Sequence, residues 1–178
     1  MISLVPGQPT IQRVEQNPIQ SQYLTFMLAG EMYAIAIPGI KEIIEYGSLT
    51  TVPMMPAFIC GVINLRGSVV PVVDLSTRFG GQRTQIARRT CIVIIEILTE
   101  GELQDIGVIV DSVNEVVEIA ASEIEPTPTF GTKIRADFIH GMGKIDGKFV
   151  IILAVNYVLS IDEMLMLGQA GDERNLAA

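Results

Sequence analysis

The chain has 178 residues, a formal net charge of -8 and a pI near 4.6. An acidic chain lacks the basic patch that a phosphate backbone requires, so nucleic acid is excluded as the main partner, and an anionic membrane surface is disfavoured. Apolar residues make up 49% and charged residues 18%, a globular balance large enough to bury a core without staples.

The opening stretch MISLVPGQPTIQ lacks the basic and apolar regions of a signal peptide. Residues 1–20 show no periodicity and read as a flexible arm. Tyr23–Leu28 and Met32–Ile37 read as two strands around Ala29-Gly30-Glu31. In Pro38–Glu45, Ile37, Ile40, Ile43 and Ile44 fall at helical spacing, which predicts a short helix stopped by Gly47. A strand pair follows at Ile59–Leu65 and Ser68–Asp74, then a polar connection from Ser76 to Arg89. Further strands are predicted at Thr90–Leu98, Ile106–Val110 and near Glu115–Ile119. After a loop opened by Pro126 and Pro128 comes a last hairpin, Ile139–Ile145 with Lys148–Ala154. Ser160 and Glu163 form a capping-box pattern that predicts a helix over Ile161–Leu167, and 169–178 reads as a flexible tail. The longest apolar run, Phe149–Val155, is far below the roughly 20 residues needed to span a bilayer.

The chain repeats itself. Phe58-Ile59-Cys60-Gly61 and Gly67 recur as Phe138-Ile139-His140-Gly141 and Gly147 at an offset of 80. Ile37–Glu45 aligns with Val110–Glu118 at an offset of 73. The expected fold is therefore mainly β, built as two similar barrels packed together with a seam between them. The repeat also pairs Arg66-Gly67 with Asp146-Gly147, a hairpin signal, so Arg66 belongs at a hairpin tip rather than inside a strand. Either a positive-φ turn residue or a type II turn would place it there, and neither selects an arginine.

Catalytic chemistry is not visible. The lone histidine, His140, has no nucleophile near it and reads as a structural or surface imidazole. Cys60 and Cys91 each lie in an apolar run and read as small buried hydrophobes. Asp111, Glu115 and Glu118 would share a face only on a helix; a solvated polar edge is the plainer reading. Asp74, at a strand end, suits a cap or turn, whereas Glu102 and Asp105 read as hairpin-loop solubility. Met54 and Met55, in Val52-Pro53-Met54-Met55-Pro56, suit core filling or adaptable contacts. Phe130, on a proline-containing loop, is either a core anchor or a protein-contact residue.

Several strings carry a family resemblance: Tyr33–Ile37 with Ile40-Lys41-Glu42-Ile43, Met55–Gly67 ending in Gly61-Val62-Ile63-Asn64-Leu65-Arg66-Gly67, Val69–Leu75, Gly107–Val113 and Ile124–Pro128. From Tyr23 to Leu167 the chain resembles the CheW family of bacterial chemotaxis coupling proteins. The resemblance implies two five-stranded SH3-like barrels on a shared core with short peripheral helices, one CheW-like unit over 21–168. It implies a non-catalytic adaptor, without cofactor or metal, that joins chemoreceptor cytoplasmic hairpin tips to the regulatory domain of the CheA histidine kinase. Such an adaptor works in the cytoplasm, at receptor arrays beneath the inner membrane, without entering the membrane. By position, Ile40, Glu42, Gly61, Arg66 and Gly67 would face the receptor. Thr50, Thr51, Val52 and Phe130 would face the kinase. Val155 stands where the family often carries an acid, which leaves that acid's role without a bearer. The competing readings are a small-ligand-sensing double barrel and an adaptor of a related non-flagellar pathway. An unfilled interior pocket would favour the former.

Overall fold

Four two-residue X-Gly turns organise the chain. In a computed structural model describing residues 20–127, 134–160 and 163, β1 (Gln20–Leu28) turns into β2 (Glu31–Ala36) at Ala29-Gly30. β4 (Ile59–Leu65) turns into β5 (Ser68–Asp74) at Arg66-Gly67, and β6 (Cys91–Thr99) into β7 (Glu102–Val110) at Glu100-Gly101. β9 (Ile139–Ile145) turns into β10 (Lys148–Leu153) at Asp146-Gly147. In every pair both residues have positive φ, 50–51° at the first and 80–88° at the glycine. That is the type I′ turn, whose twist matches the flanking strands.

Among the described residues, β3 (Ile40–Glu45) and β8 (Ser112–Ala120) complete ten strands in two five-stranded sheets. Sheet 1 has the order β3-β6-β7-β5-β4 and sheet 2 the order β8-β1-β2-β10-β9. The orders match strand for strand, with β3 over β8 and β4 over β9, which is what the two sequence offsets imply. Among the described residues, the one parallel pair in each sheet is the fold-equivalent one, β5–β7 and β2–β10. The chain starts in sheet 2, builds all of sheet 1, and returns to finish sheet 2.

Each sheet curls until its edges meet. The segment after β3 reaches β4 through a bridge, with N–H to O distances of 2.9 Å both ways between Thr50 and Val62. The segment after β8 reaches β9 the same way, at 2.8 Å both ways between Glu125 and Met142. Closure thus rests on single bridges rather than a continuous ladder. Gly61 makes this approach possible, because a Cβ there would lie 2.5 Å from the Thr50 carbonyl oxygen. Gly61→Ala is expected to push the closing segment away, cost about 1–3 kcal/mol and lower Tm by roughly 2–12 °C in a thermal melt.

The apolar runs are uninterrupted because many strands are buried on both faces. In β6, Ile92 and Ile94 fill the curl of sheet 1 with Val70, Val72 and Ile109, while Val93 and Ile95 face the shared core between the sheets. Tyr23, Ala34, Ile119, Val150 and Ile152 fill the curl of sheet 2. Burying each large aliphatic side chain contributes about 1.5–3 kcal/mol, so these layers dominate the stability. At a bulge between β1 and β8, the buried Thr25 hydroxyl donates to the Glu115 carbonyl at 2.8 Å and accepts the Glu115 N–H at 3.2 Å. A side chain there replaces the missing ladder bonds.

Tyr33 lies in an aromatic chain through the shared core, 6.0 Å from Phe26 and 5.7 Å from Phe79 between ring centroids. Burial first, then the neighbouring Glu31 carboxylate, push its pKa up to about 12. Because this folded value lies above the unfolded one, the associated stability is present below pH ~10 and is lost as pH rises through 12. Alkaline titration of tyrosinate absorbance should show one late step that Tyr33→Phe removes.

Three expectations need correction. Ile40–Glu45 is a strand, not a helix; only Ile37–Gly39 makes a 3₁₀ turn, with Pro38 in its first positions. The isoleucine spacing fits a helix and breaks strict alternation, leaving Ile43 exposed and Glu42 half-buried, but β-branched residues favour a strand, and pairing with Cys91–Ile95 fixes it. The polar connection after Asp74 begins with a short helix, α1 (Leu75–Arg78), and a second, α2 (Val155–Val158), follows β10. Glu102 and Asp105 both lie within β7 rather than in a hairpin loop. The expected helix over Ile161–Leu167 lies outside the described residues except Glu163, whose N–H is 3.5 Å from the Ser160 hydroxyl.

Candidate functional site

The tip of the β4–β5 hairpin is built from local turn chemistry. Asn64 accepts the Gly67 N–H on its side-chain oxygen at 2.9 Å, which holds the turn shut. Arg66 sits at φ 51°, in the left-handed region, with its side chain 75% exposed. Its guanidinium donates to the Glu42 carboxylate at 2.7 Å. β3 and β4 are opposite edges of sheet 1, so only the curl brings this pair together. The pair contributes at most about 0–1 kcal/mol at such exposure, so its effect is to aim the guanidinium rather than to hold the fold.

Exposed apolar side chains share this end. β5 and β7 run parallel, so their hairpin tips point the same way. Val69 on one hairpin and the cross-strand pair Leu98 and Leu103 on the other are all exposed. Reading the sequence did not single out these three, because their alternation is lost in strands buried on both faces. Lys41 meets the Asp105 carboxylate at 3.0 and 3.2 Å and Glu96 at 3.5 Å.

The other candidates fall elsewhere. Ile40 is half-buried against the shared core. Gly61 lies at the barrel-closing bridge, beside Thr50 rather than at the hairpin tip, so the two candidate groups meet along β4. Thr50 and Thr51 are exposed and Val52 is half-buried. Phe130 lies outside the described residues. Met55 packs on the core, but Met54 is 88% exposed with φ 64°, so only one of the two methionines fills core space.

Sheet 2 carries a counterpart to the Arg66 end. Asp146 replaces Arg66, Glu115 replaces Glu42 and Phe149 replaces Val69. Met27, Met32, Met142, Ile145 and Phe149 line a surface groove of about 490 Å³ there. The two ends therefore share a plan but differ in charge and shape, and can take different partners. The curls themselves are filled by the side chains named above, which leaves the small-ligand reading without support from their interiors.

Of the remaining polar candidates, Asp74 and Asp111 tie down the backbone. Asp74 is buried and accepts from Ser76 N–H at 3.0 Å, Thr84 N–H at 2.8 Å and the Thr84 hydroxyl at 2.8 Å. Asp111 accepts the Ala29 N–H at 2.9 Å, and Glu115 and Glu118 lie on a strand. His140 is exposed on β9. Cys60 and Cys91 are free, partly buried thiols whose pKa values burial pushes up. No helix among the described residues is long and apolar enough to cross a membrane.

Two curled, interlocked sheets with filled interiors and an exposed, side-chain-rich hairpin end define a β interaction module. The CheW-like domain family matches residues 22–163, and the chain belongs to that family of chemotaxis scaffold proteins. It is 36% identical over 136 residues to the chemotaxis protein CheW of Bacillus subtilis, covering 76% of this chain and 85% of that one. To the chemotaxis protein CheW of Klebsiella aerogenes it is 29% identical over 161 residues, covering 90% and 95%. The scaffolding protein TtCheW of Thermoanaerobacter tengcongensis has a similar crystal structure, with TM-score 0.72, 38% identity, and 80% and 90% coverage.

Proposed function

We propose that this chain, through a working unit spanning 21–168, is a non-catalytic adaptor that joins the cytoplasmic hairpin tip of a chemoreceptor to the regulatory domain of the CheA histidine kinase, in the cytoplasm beneath the receptor array. The observation that carries the reading is Arg66. It is exposed, stands at a backbone position unfavourable for its residue type, and is aimed by Glu42 beside Val69, Leu98 and Leu103. Turn stability favours Asn, Asp or Gly there, so a contact is the better reason for an arginine. Glu42, Arg66 and Gly67 are the receptor-facing group, with Ile40 and Gly61 supporting the strands that present them. Thr50, Thr51, Val52 and Phe130 serve the kinase side. Titration calorimetry with a receptor cytoplasmic hairpin fragment and, separately, with the kinase regulatory domain tests this. Saturable binding to each is expected; binding to neither overturns the reading.

A further inference from the structure

The sheets meet at a point where the internal symmetry has to break. α1 and α2 follow the fold-equivalent strands β5 and β10, and at the offset of 80 the counterpart of Arg78 is Val158. Arg78 crosses the seam and donates from Nε to the Val158 carbonyl at 2.8 Å, so the residue bonds to its own structural counterpart. Its guanidinium carbon lies 5.3 Å from the Phe58 ring centroid and 4.6 Å from that of Phe138. Those rings are also counterparts, and their carbonyls accept the Asp74 and Ala154 N–H groups, each at 2.8 Å. Arg78 Nη2 lies 3.4 Å from the Tyr157 carbonyl and 3.6 Å from Glu163. The side chain is only 3% exposed. Arg135 also lies over the Phe138 ring, 4.5 Å from its centroid, and shares Glu163 with Arg78; a further cation at position 158 would face Arg78 with like charge.

A buried arginine is a weak way to gain stability, because an apolar side chain of similar volume often serves as well. Its distinctive property is direction. The shared core joins the sheets by apolar contact, which is indifferent to small rotations. A planar guanidinium held close to two rings and bonded to a carbonyl across the seam is not indifferent to them.

We propose that Arg78 is a positioning residue that sets the angle between sheet 1 and sheet 2, and through it how a partner held at the Arg66 end of sheet 1 lies relative to one held at the groove end of sheet 2; the Thr50–Val52 contact, on the sheet 1 side itself, does not depend on that angle. This rests on the bridging reading above. Arg78→Met in the full chain should still fold and should bind the receptor hairpin and the kinase regulatory domain separately within about twofold of wild type, as expected for distant sites. Assembly of all three components should fall about tenfold or more, the size of an ordinary coupling between sites. Independently of partners, spin labels at exposed Glu45 on β3 and His140 on β9, in a Cys60→Ala, Cys91→Ala background, should give one narrow distance in wild type and a broadened one in the variant. Unchanged assembly with an unchanged distance distribution overturns the proposal. So does a parallel loss of Tm and both separate affinities with the distance distribution intact, since that marks a merely structural residue. Should Arg78→Met fail to fold, Arg78→Lys, which keeps the charge but not the planar fork, is read by the label distance alone: broadening supports the proposal and no change overturns it. If wild type binds neither partner, the bridging reading fails while the distance measurement still decides the role of Arg78.

Discussion

Arg66→Asn should leave the protein as stable as before or slightly more so, and should weaken its grip on the receptor hairpin. The stability side follows from backbone geometry. Arg66 occupies φ 51°, a region that costs an ordinary L-residue about 1–2 kcal/mol and that Asn tolerates better. Against that relief stands the loss of the exposed Glu42 pair, about 0–1 kcal/mol. The two nearly cancel, so Tm should move by no more than about 3 °C either way. The binding side follows from position. An arginine at an end that also exposes apolar side chains is a common hot spot, and its removal typically costs 2 kcal/mol or more, about 30-fold in affinity. Arg66→Ala should bind as poorly, while Glu42→Gln should weaken binding less, because the guanidinium remains but is no longer aimed. A fall in Tm of more than about 5 °C with unchanged receptor affinity would make Arg66 a structural residue and remove the main support for the receptor-facing end.

Asp74→Ala should produce the largest loss of stability of any single polar substitution considered. The carboxylate is buried and accepts three hydrogen bonds, capping α1 at Ser76 and tying down Thr84 ten residues ahead. Its removal deletes an N-cap and leaves donors short of partners, together about 3–4 kcal/mol, which lowers Tm by roughly 6–12 °C. Asp74→Asn should cost less but not nothing. The amide oxygen can still take the Ser76 N–H and the Thr84 hydroxyl, while its NH₂ would face the Thr84 N–H, donor against donor. Chemical denaturation of both variants separates these cases, and equal stability of Ala and Asn would contradict the network.

Much of this architecture can be read without coordinates, for a physical reason. Type I′ turns demand Gly at a fixed place, so Gly30, Gly67, Gly101 and Gly147 mark the four hairpins, and strand period follows. The two offsets of the repeat correspond to real strand equivalences, which is why Arg66 could be placed at a tip by comparison with Asp146. Other features depend on contacts that sequence spacing does not encode. Ile40–Glu45 carries a helical spacing and no clean alternation, and the strand is made by its pairing with β6. Arg78 sits in what reads as a polar connection, and nothing local shows that it turns inward between Phe58 and Phe138. Gly61 is conspicuous in the sequence, but its reason, the approach of the Thr50 carbonyl, appears only once the sheet curls. Val69, Leu98 and Leu103 stay hidden because strands buried on both faces show no alternation to betray an exposed position.

The central claim is that one small, non-catalytic chain holds two different partners at once. Co-sedimentation tests it most directly: membranes bearing the receptor are mixed with the purified kinase, with and without this chain, and the kinase in the membrane pellet is measured. The account predicts that sedimented kinase rises with added chain to saturation, and that Arg66→Asn shifts the midpoint to higher chain concentration. Kinase that sediments equally with or without the chain, while the chain itself stays in the supernatant, would contradict it.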